Sequence, residues 1–376
     1  MNQKELNEIR RRLSLDKNCI GKIYGCFVND QKQVVLSFEE SVAALPEAES
    51  EKYMSLLKKS LSGGLGRCLI NIDFTNEQIM EGEEYKTLLK LYESALKDTE
   101  ALASFFQKVI DTIDMNGQNY LILVACDKYD VPFKPTDGTD MDDASDSVFT
   151  YIMCSNCPVK DSKSVLGYFA GENAFRSRNI GQVVAPPEVG FMFPTFDNRA
   201  TNIYSTLYYS KDTSIIHDEF IDGFFKAQVP MSAGEQKETF DNVLTESLEE
   251  SFDFDVVQSV HEQIRERIEE HKASKSVEPL DMTASEIGCI LENSGVKQEQ
   301  IEVFKEQCDE KFGQSTALNP SNIIDPKKFE VTTPQVKIKI NPDYTYAVQT
   351  REIDGRTYIL IPADEGVQVN GVDIKI

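Results

Sequence analysis

The run Tyr120-Leu121-Ile122-Leu123-Val124-Ala125-Cys126 constrains this chain more than any other seven residues. It is unbroken, uncharged and rich in Leu, Ile and Val. It therefore reads as a strand of the buried type, not the alternating kind that keeps one face in water. A membrane-spanning helix needs about 18 or more such residues, so the run belongs inside a globular sheet. A second apolar stretch, Val148 to Cys154, follows across an acidic loop. Upstream, Glu77 to Asp114 carries Leu88, Leu91, Leu102, Phe105, Val109 and Ile113 near period 3.6, which predicts the longest helical stretch of the chain.

Around this nucleus the pattern predicts further elements. Leu6, Ile9 and Leu13 mark one face of a short helix that carries Arg10, Arg11 and Arg12 on its other faces. Ile20 to Val28 and Gln33 to Phe38 read as strands around an Asn29-Asp30 turn. Pro46 opens a helix that Gly63-Gly64-Leu65-Gly66 ends. Those glycines follow a helix, so they read as a cap and not as a phosphate cradle, which precedes one. Strand-like pieces fill 182–210, and His217 to Ala227 looks helical. From 235 to 271 twelve acidic residues face three basic ones, a net of −9, while Val257, Val260, Ile264 and Ile268 keep an apolar helical stripe. A linker is expected at 273–276. Two short helices follow between Asp281 and Phe312, with Thr283 to Glu286 as a capping box. Beyond Pro334 the period drops to two, with Asp354-Gly355 and Asn370-Gly371 as turns.

Composition narrows the function classes. The 39 Lys and Arg against 63 Asp and Glu leave a net charge of −24, which argues against non-specific coating of nucleic acid or anionic lipid. Residues 1–23 nevertheless hold six basic and three acidic groups, a local +3. The N-terminus has no apolar core of the signal-peptide type. The eight cysteines are scattered, as in a reducing compartment. The expectation is a cytoplasmic protein without a membrane segment.

Few residues suggest chemistry. Cys154-Ser155-Asn156-Cys157 after an apolar strand reads first as structural cysteines, since the residues that follow lack the apolar period of a redox-type helix; a redox pair or half of a metal site is the alternative. A metal set would need Cys126 and His217 to join it by coincidence of folding, and no metal or cofactor is expected. Aspartates 127, 130, 137, 140, 142, 143 and 146 lack calcium-loop spacing and read as a solvated loop. Asp197, Arg199 and Asn202 lie between apolar anchors, as in a recognition loop, and Arg199 suits a carboxylate or phosphate. The alternative is that Asp197 and Arg199 pair and cap the next helix. His261 and His271 lie on or beside the stripe of an acidic helix, where packing or solvation is expected.

The segments Ile9-Arg10-Arg11-Arg12, Ile23-Tyr24-Gly25-Cys26, Gly190-Phe191-Met192-Phe193-Pro194 and Phe196-Asp197-Asn198-Arg199-Ala200-Thr201-Asn202-Ile203-Tyr204 resemble an uncharacterised bacterial family, a domain of unknown function, over the full length. At the level of architecture, Ile203 to Leu207 leading into Phe220-Ile221-Asp222-Gly223-Phe224-Phe225, then an acidic helical region and a small β unit, is similar to the bacterial 37-kilodalton nucleoid-associated family. That likeness carries over no functional residue. The reading is an α+β protein: a mixed domain over 1–230 with sheet and long helix, an acidic helical region over 231–312, and a linker with a small antiparallel β unit over 313–376. The expected function is non-enzymatic binding, associated with the nucleoid or DNA-handling machinery. DNA or a nucleoid protein would meet Arg10, Arg11 and Arg12, with Lys58 and Lys59 beside them. The alternatives are an enzyme or thiol-redox protein acting on a small anionic or thiol substrate, and an adaptor whose helix at 254–272, with Glu262 and Glu269, meets a basic protein.

Overall fold

Seven consecutive apolar residues in one strand demand cover on both faces of the sheet, and the fold supplies it. The structure is a computed structural model that describes residues 1–376 except 15, 18, 134–140, 163, 179–180, 275, 277–278, 315, 365 and 375–376, and except the side chains of 133, 141–146, 165, 178 and 250. Two compact units result, Met1–Ser232 and Ala233–Ile376. The class is α+β.

The first unit contains strands β1 (Lys22–Val28), β2 (Val34–Ser41), β3 (Leu69–Asp73), β4 (Asn119–Phe133), β5 (Met141–Asp161), β6 (Val165–Phe169), β7 (Ala174–Arg178), β8 (Gln182–Val184), β9 (Val189–Phe193), β10 (Thr195–Asp197), β11 (Ala200–Asn202) and β12 (Ser205–Ser210). Its helices are α1 (Gln3–Arg12), α2 (Glu47–Lys59), α3 (Asn76–Glu81), α4 (Glu83–Glu93), α5 (Thr99–Thr112) and the single turn α6 (Asp218–Phe220). Among the described residues one eight-stranded sheet runs β2-β1-β4-β5-β9-β12-β3, with β8 also on β5, and its pairings are antiparallel.

Alternation along β4 splits the apolar run between two cores. Ile122 and Val124 join Cys154, Phe191 and Phe193 against α4, α5 and Phe220–Phe225. Leu121, Leu123 and Ala125 join Met153, Cys157 and Met192 against α1 and α2. A sheet with helices on both faces explains why the strand has no polar side.

Three expectations change. The helical stretch predicted over Glu77–Asp114 is three helices. Gly82 takes an extended ψ of 121°, and Ala95 and Leu96 turn left-handed at φ 50° and 63°. Asp98 then caps α5, its carboxylate accepting from the Ala101 amide at 2.9 Å. The strand predicted to stop at Cys154 continues to Asp161, so the cysteine pair lies inside β5 and not after its end. His217 to Ala227 is one short turn followed by a wide π-type turn over Ile221–Phe225.

The second unit holds α7 (Ala233–Leu248), α8 (Phe254–Ser274), α9 (Ala284–Asn293), α10 (Gln298–Phe312) and α11 (Pro320–Ile323). The acidic region is thus two helices, and the buried stripe of α8 runs Val256, Val260, Ile264, Ile268, with Val257 37 % exposed. The capping box at Thr283 and Glu286 forms as the sequence indicates. Lys275, in the expected linker, lies outside the described residues. The predicted β unit is three separate two-stranded hairpins: β13 (Phe329–Thr332) with β14 (Lys337–Ile340), β15 (Gln349–Ile353) with β16 (Arg356–Leu360), and β17 (Val367–Val369) with β18 (Val372–Ile374). Asp354-Gly355 and Asn370-Gly371 make the last two turns, all four residues at positive φ.

Candidate functional site

The arginines of α1 divide sharply. Arg10 donates from Nε to the Leu61 carbonyl at 2.5 Å and from its terminal nitrogen to the Gly63 carbonyl at 2.6 Å. It therefore satisfies the open end that follows α2, and Gly63 allows the turn with φ 86°. Arg12 lies 3.6 Å from Asp127, donates to the Lys128 carbonyl at 3.0 Å and stacks 4.5 Å over the Tyr129 ring. Arg11 alone of the three is exposed without an ion pair among the described residues.

The loop at 197–202 is a tight hairpin, β10–β11, whose turn residues Asn198 and Arg199 both have positive φ. Arg199 is fully engaged. Its backbone N–H donates to Glu5 at 3.1 Å, and its guanidinium donates to both Glu8 oxygens at 3.2 and 3.1 Å and to the Pro132 carbonyl at 2.9 Å. Asp197 accepts from Asn202 at 3.3 Å and from the Met1 amino group at 2.6 Å. The loop thus locks α1 onto the end of β4 and neither pairs Asp197 with Arg199 nor caps a helix.

Asp127 is the polar centre of this region, although it reads from the sequence as the first residue of a solvated loop. It is 1 % exposed and accepts from the Cys19 amide at 2.6 Å and from the Tyr151 hydroxyl at 2.7 Å. Burial first, and the Asp127 charge second, push the Tyr151 hydroxyl well above its usual value. The sequence signal was position: Asp127 directly follows the apolar run and stays in strand register with Tyr151. Asp130 is exposed on β4. Asp137 and Asp140, and the side chains of Asp142, Asp143 and Asp146, lie outside the described residues.

Cys154 and Cys157 point to opposite faces of β5, one into each core. Three strand residues separate their Cα atoms by roughly 10 Å, beyond the ~7 Å limit for a disulfide. Burial drives both thiols up, Cys157 to about 12. His217 instead sits 3.5 Å from Glu219. Among the described residues no group of three His, Cys, Asp or Glu is placed to hold a metal ion.

One concavity was not legible in the sequence. It has a volume of about 660 Å³ and runs along β3, which pairs with β12 on one side; on the other the turn at Gly64 and Gly66 holds Leu69, and residues 71–73 meet no strand among the described residues. Asn71, Ile72 and Asp73 form one wall. Glu77, Gln78 and Glu81 of α3 form the second, and the segment at 225–230 forms the third. Gln78 fixes these walls, its amide donating to the Phe225 and Lys226 carbonyls at 3.0 and 2.6 Å. At the rim, Glu83 pairs with Lys86 at 3.0 Å and Glu84 with Lys108 at 3.3 Å. Asp73, Glu77 and Glu81 are exposed and form no ion pair among the described residues. Among the described residues five carboxylates and one cation, Lys226, line the groove, and a strand edge beside that acidic excess suits an extended cationic segment.

Fold and groove together define a two-unit α+β protein with an acidic channel on a sheet edge. The chain belongs to the family described as a domain of unknown function (DUF4317), whose model matches residues 1–372. No curated protein matches it. Among the described residues no helix is long and apolar enough to cross a membrane.

Proposed function

We propose that this chain is a non-enzymatic binding protein that receives an extended, Lys- and Arg-rich segment of a protein partner along the free edge of β3. The observation that carries the reading is the strand edge open at 71–73 and flanked by Asp73, Glu77 and Glu81, three exposed carboxylates that outnumber the single lining cation among the described residues, Lys226. Main-chain hydrogen bonds to the edge would supply affinity, and the carboxylates would select for charge. The acidic helix α8 is a weaker adaptor surface, because Glu262 already accepts from Thr345 and Glu269 lies 3.4 Å from Arg265.

The test is anisotropy of a labelled Lys-rich peptide on the full chain, against Glu77→Lys/Glu81→Lys and against Glu262→Lys/Glu269→Lys. The groove pair should weaken binding by roughly tenfold or more, and the α8 pair should leave it nearly unchanged. Equal affinities for all three proteins sink the reading.

A nucleoid association is the second reading, supported by exposed Arg11 together with Lys58 and Lys59, which are also exposed. It requires duplex DNA binding that weakens with salt by about 0.9 decades of affinity per decade of salt for each phosphate neutralised. Arg11→Ala with Lys58→Ala and Lys59→Ala should then abolish that binding.

A further inference from the structure

A second cavity, of about 250 Å³, opens on the sheet face that carries α4 and α5. Its position follows from register. Tyr24 pairs with Val124 and Ile23 with Ala125, so the same ladder sets Lys22 opposite Cys126. The pleat then turns Lys22, Tyr24, Cys126 and Lys128 to one side. The turn between α4 and α5 closes that side. There Ala95 and Leu96, neither a glycine, both adopt left-handed φ, a conformation that side chains disfavour. Leu96 is 1 % exposed in the core, and Ala95 and Lys97 donate backbone hydrogen bonds to Tyr92 and Ser94 at 3.0 and 3.1 Å. The turn therefore places the Lys97 backbone at the cavity, with its side chain on the lining.

The charge pattern is the opposite of the chain's overall balance. Three lysines line the cavity and no carboxylate does, in a chain with 63 acidic and 39 basic residues. Lys22 already has a counter-ion, and the other nearby carboxylates are engaged outside the cavity. Glu39 holds Lys22, Asp98 pairs with Lys90 at 3.0 Å, and Asp127 binds the Cys19 amide and Tyr151. Lys97 and Lys128 form no ion pair among the described residues. Burial and the Asp127 charge push the Cys126 thiol up to about 11, against the pull of Lys128 and Lys97. Cys126 is thus a wall and not a nucleophile.

We infer that this cavity is a binding site for a small oxyanion, a phosphate or carboxylate group seated between Lys97 and Lys128, with its organic body against Tyr24. Like-charged lysines brought to one pocket without a counter-ion favour an anion, and the Tyr24 hydroxyl adds a donor. The inference is independent of the β3 groove, which shares no lining residue with it.

Calorimetric titration of the full chain with inorganic phosphate, and separately with succinate, at constant ionic strength tests it. Saturable binding of either ligand is expected, and which one binds tells the phosphate source from the carboxylate. Lys97→Gln/Lys128→Gln should weaken it by roughly tenfold. Lys58→Gln/Lys59→Gln, an equal change of charge on exposed lysines elsewhere, should not. Both pairs sit at exposed positions, so the fold survives, and a circular dichroism melt verifies this. The site is overturned if neither ligand saturates at tens of millimolar. It is overturned equally if the control pair loses as much affinity.

Discussion

At the scale of single residues, polar groups in this chain are spent on holding the fold. Arg10, Arg12, Arg199, Glu5, Glu8 and Asp127 have the residue types of a binding site, yet each is engaged by groups of the same chain. His261 shows how such a choice becomes measurable. Its Nε2–H donates to the Asp325 carbonyl at 3.0 Å, its ring meets Phe329 edge-on at 5.1 Å, and Nδ1 is buried without a partner. Burial, opposed by the Asp325 bond and aided by Arg265, holds its pKa below the usual 6.5. The unfolded chain therefore binds the proton more readily than the folded one. Stability is full above 6.5 and falls as pH drops from there toward the lowered value. Chemical denaturation between pH 7.5 and 5 should show this slope in wild type and a flatter one in His261→Gln. Parallel slopes would remove the role given to His261.

At the scale of elements, boundaries were set by neighbours more than by propensity. The helical period of Glu77–Asp114 is real, since Leu88, Leu91, Phe105 and Val109 are all buried. Three helices share it because the chain must turn at Gly82 and at Ala95-Leu96 to stay on one sheet face. Helix α8 offers a direct comparison of predicted and observed stripes. Ile264 is fully buried, whereas Val257 is 37 % exposed. Ile264→Ala should cost about 2–5 kcal/mol, and Val257→Ala less than about 0.5 kcal/mol. Urea titration measures both, and similar losses would mean that the stripe runs through Val257 after all.

At the scale of the whole molecule, each unit has apolar cores of its own: two about the sheet in Met1–Ser232, and one among α7 to α11 in Ala233–Ile376. Separate cores predict separate melting. Calorimetry of the full chain should show two transitions, with Leu291→Ala lowering one and Phe105→Leu the other. A single transition shifted by both substitutions would show one cooperative unit instead.

Much of this architecture was legible in the residues. The apolar run fixed a covered strand, the period marked helices, and Asn-Gly and Asp-Gly pairs located the last hairpins, because these signals depend only on near neighbours in the chain. The cysteine pair was misplaced because Pro158 and the polar residues after it look like a break, while cross-strand pairing with β4 and β8 carries β5 past them. The candidate sites were not legible at all. The β3 groove joins residues 71–85 with 225–230, and the lysine cavity joins 22, 97 and 128. Sequence alone determined the class, the α+β layering and the acidic balance, since those follow from local pattern and composition. Only the tertiary structure decided which charges are satisfied and which are left open, because pairing depends on distances across the sheet that no local spacing encodes.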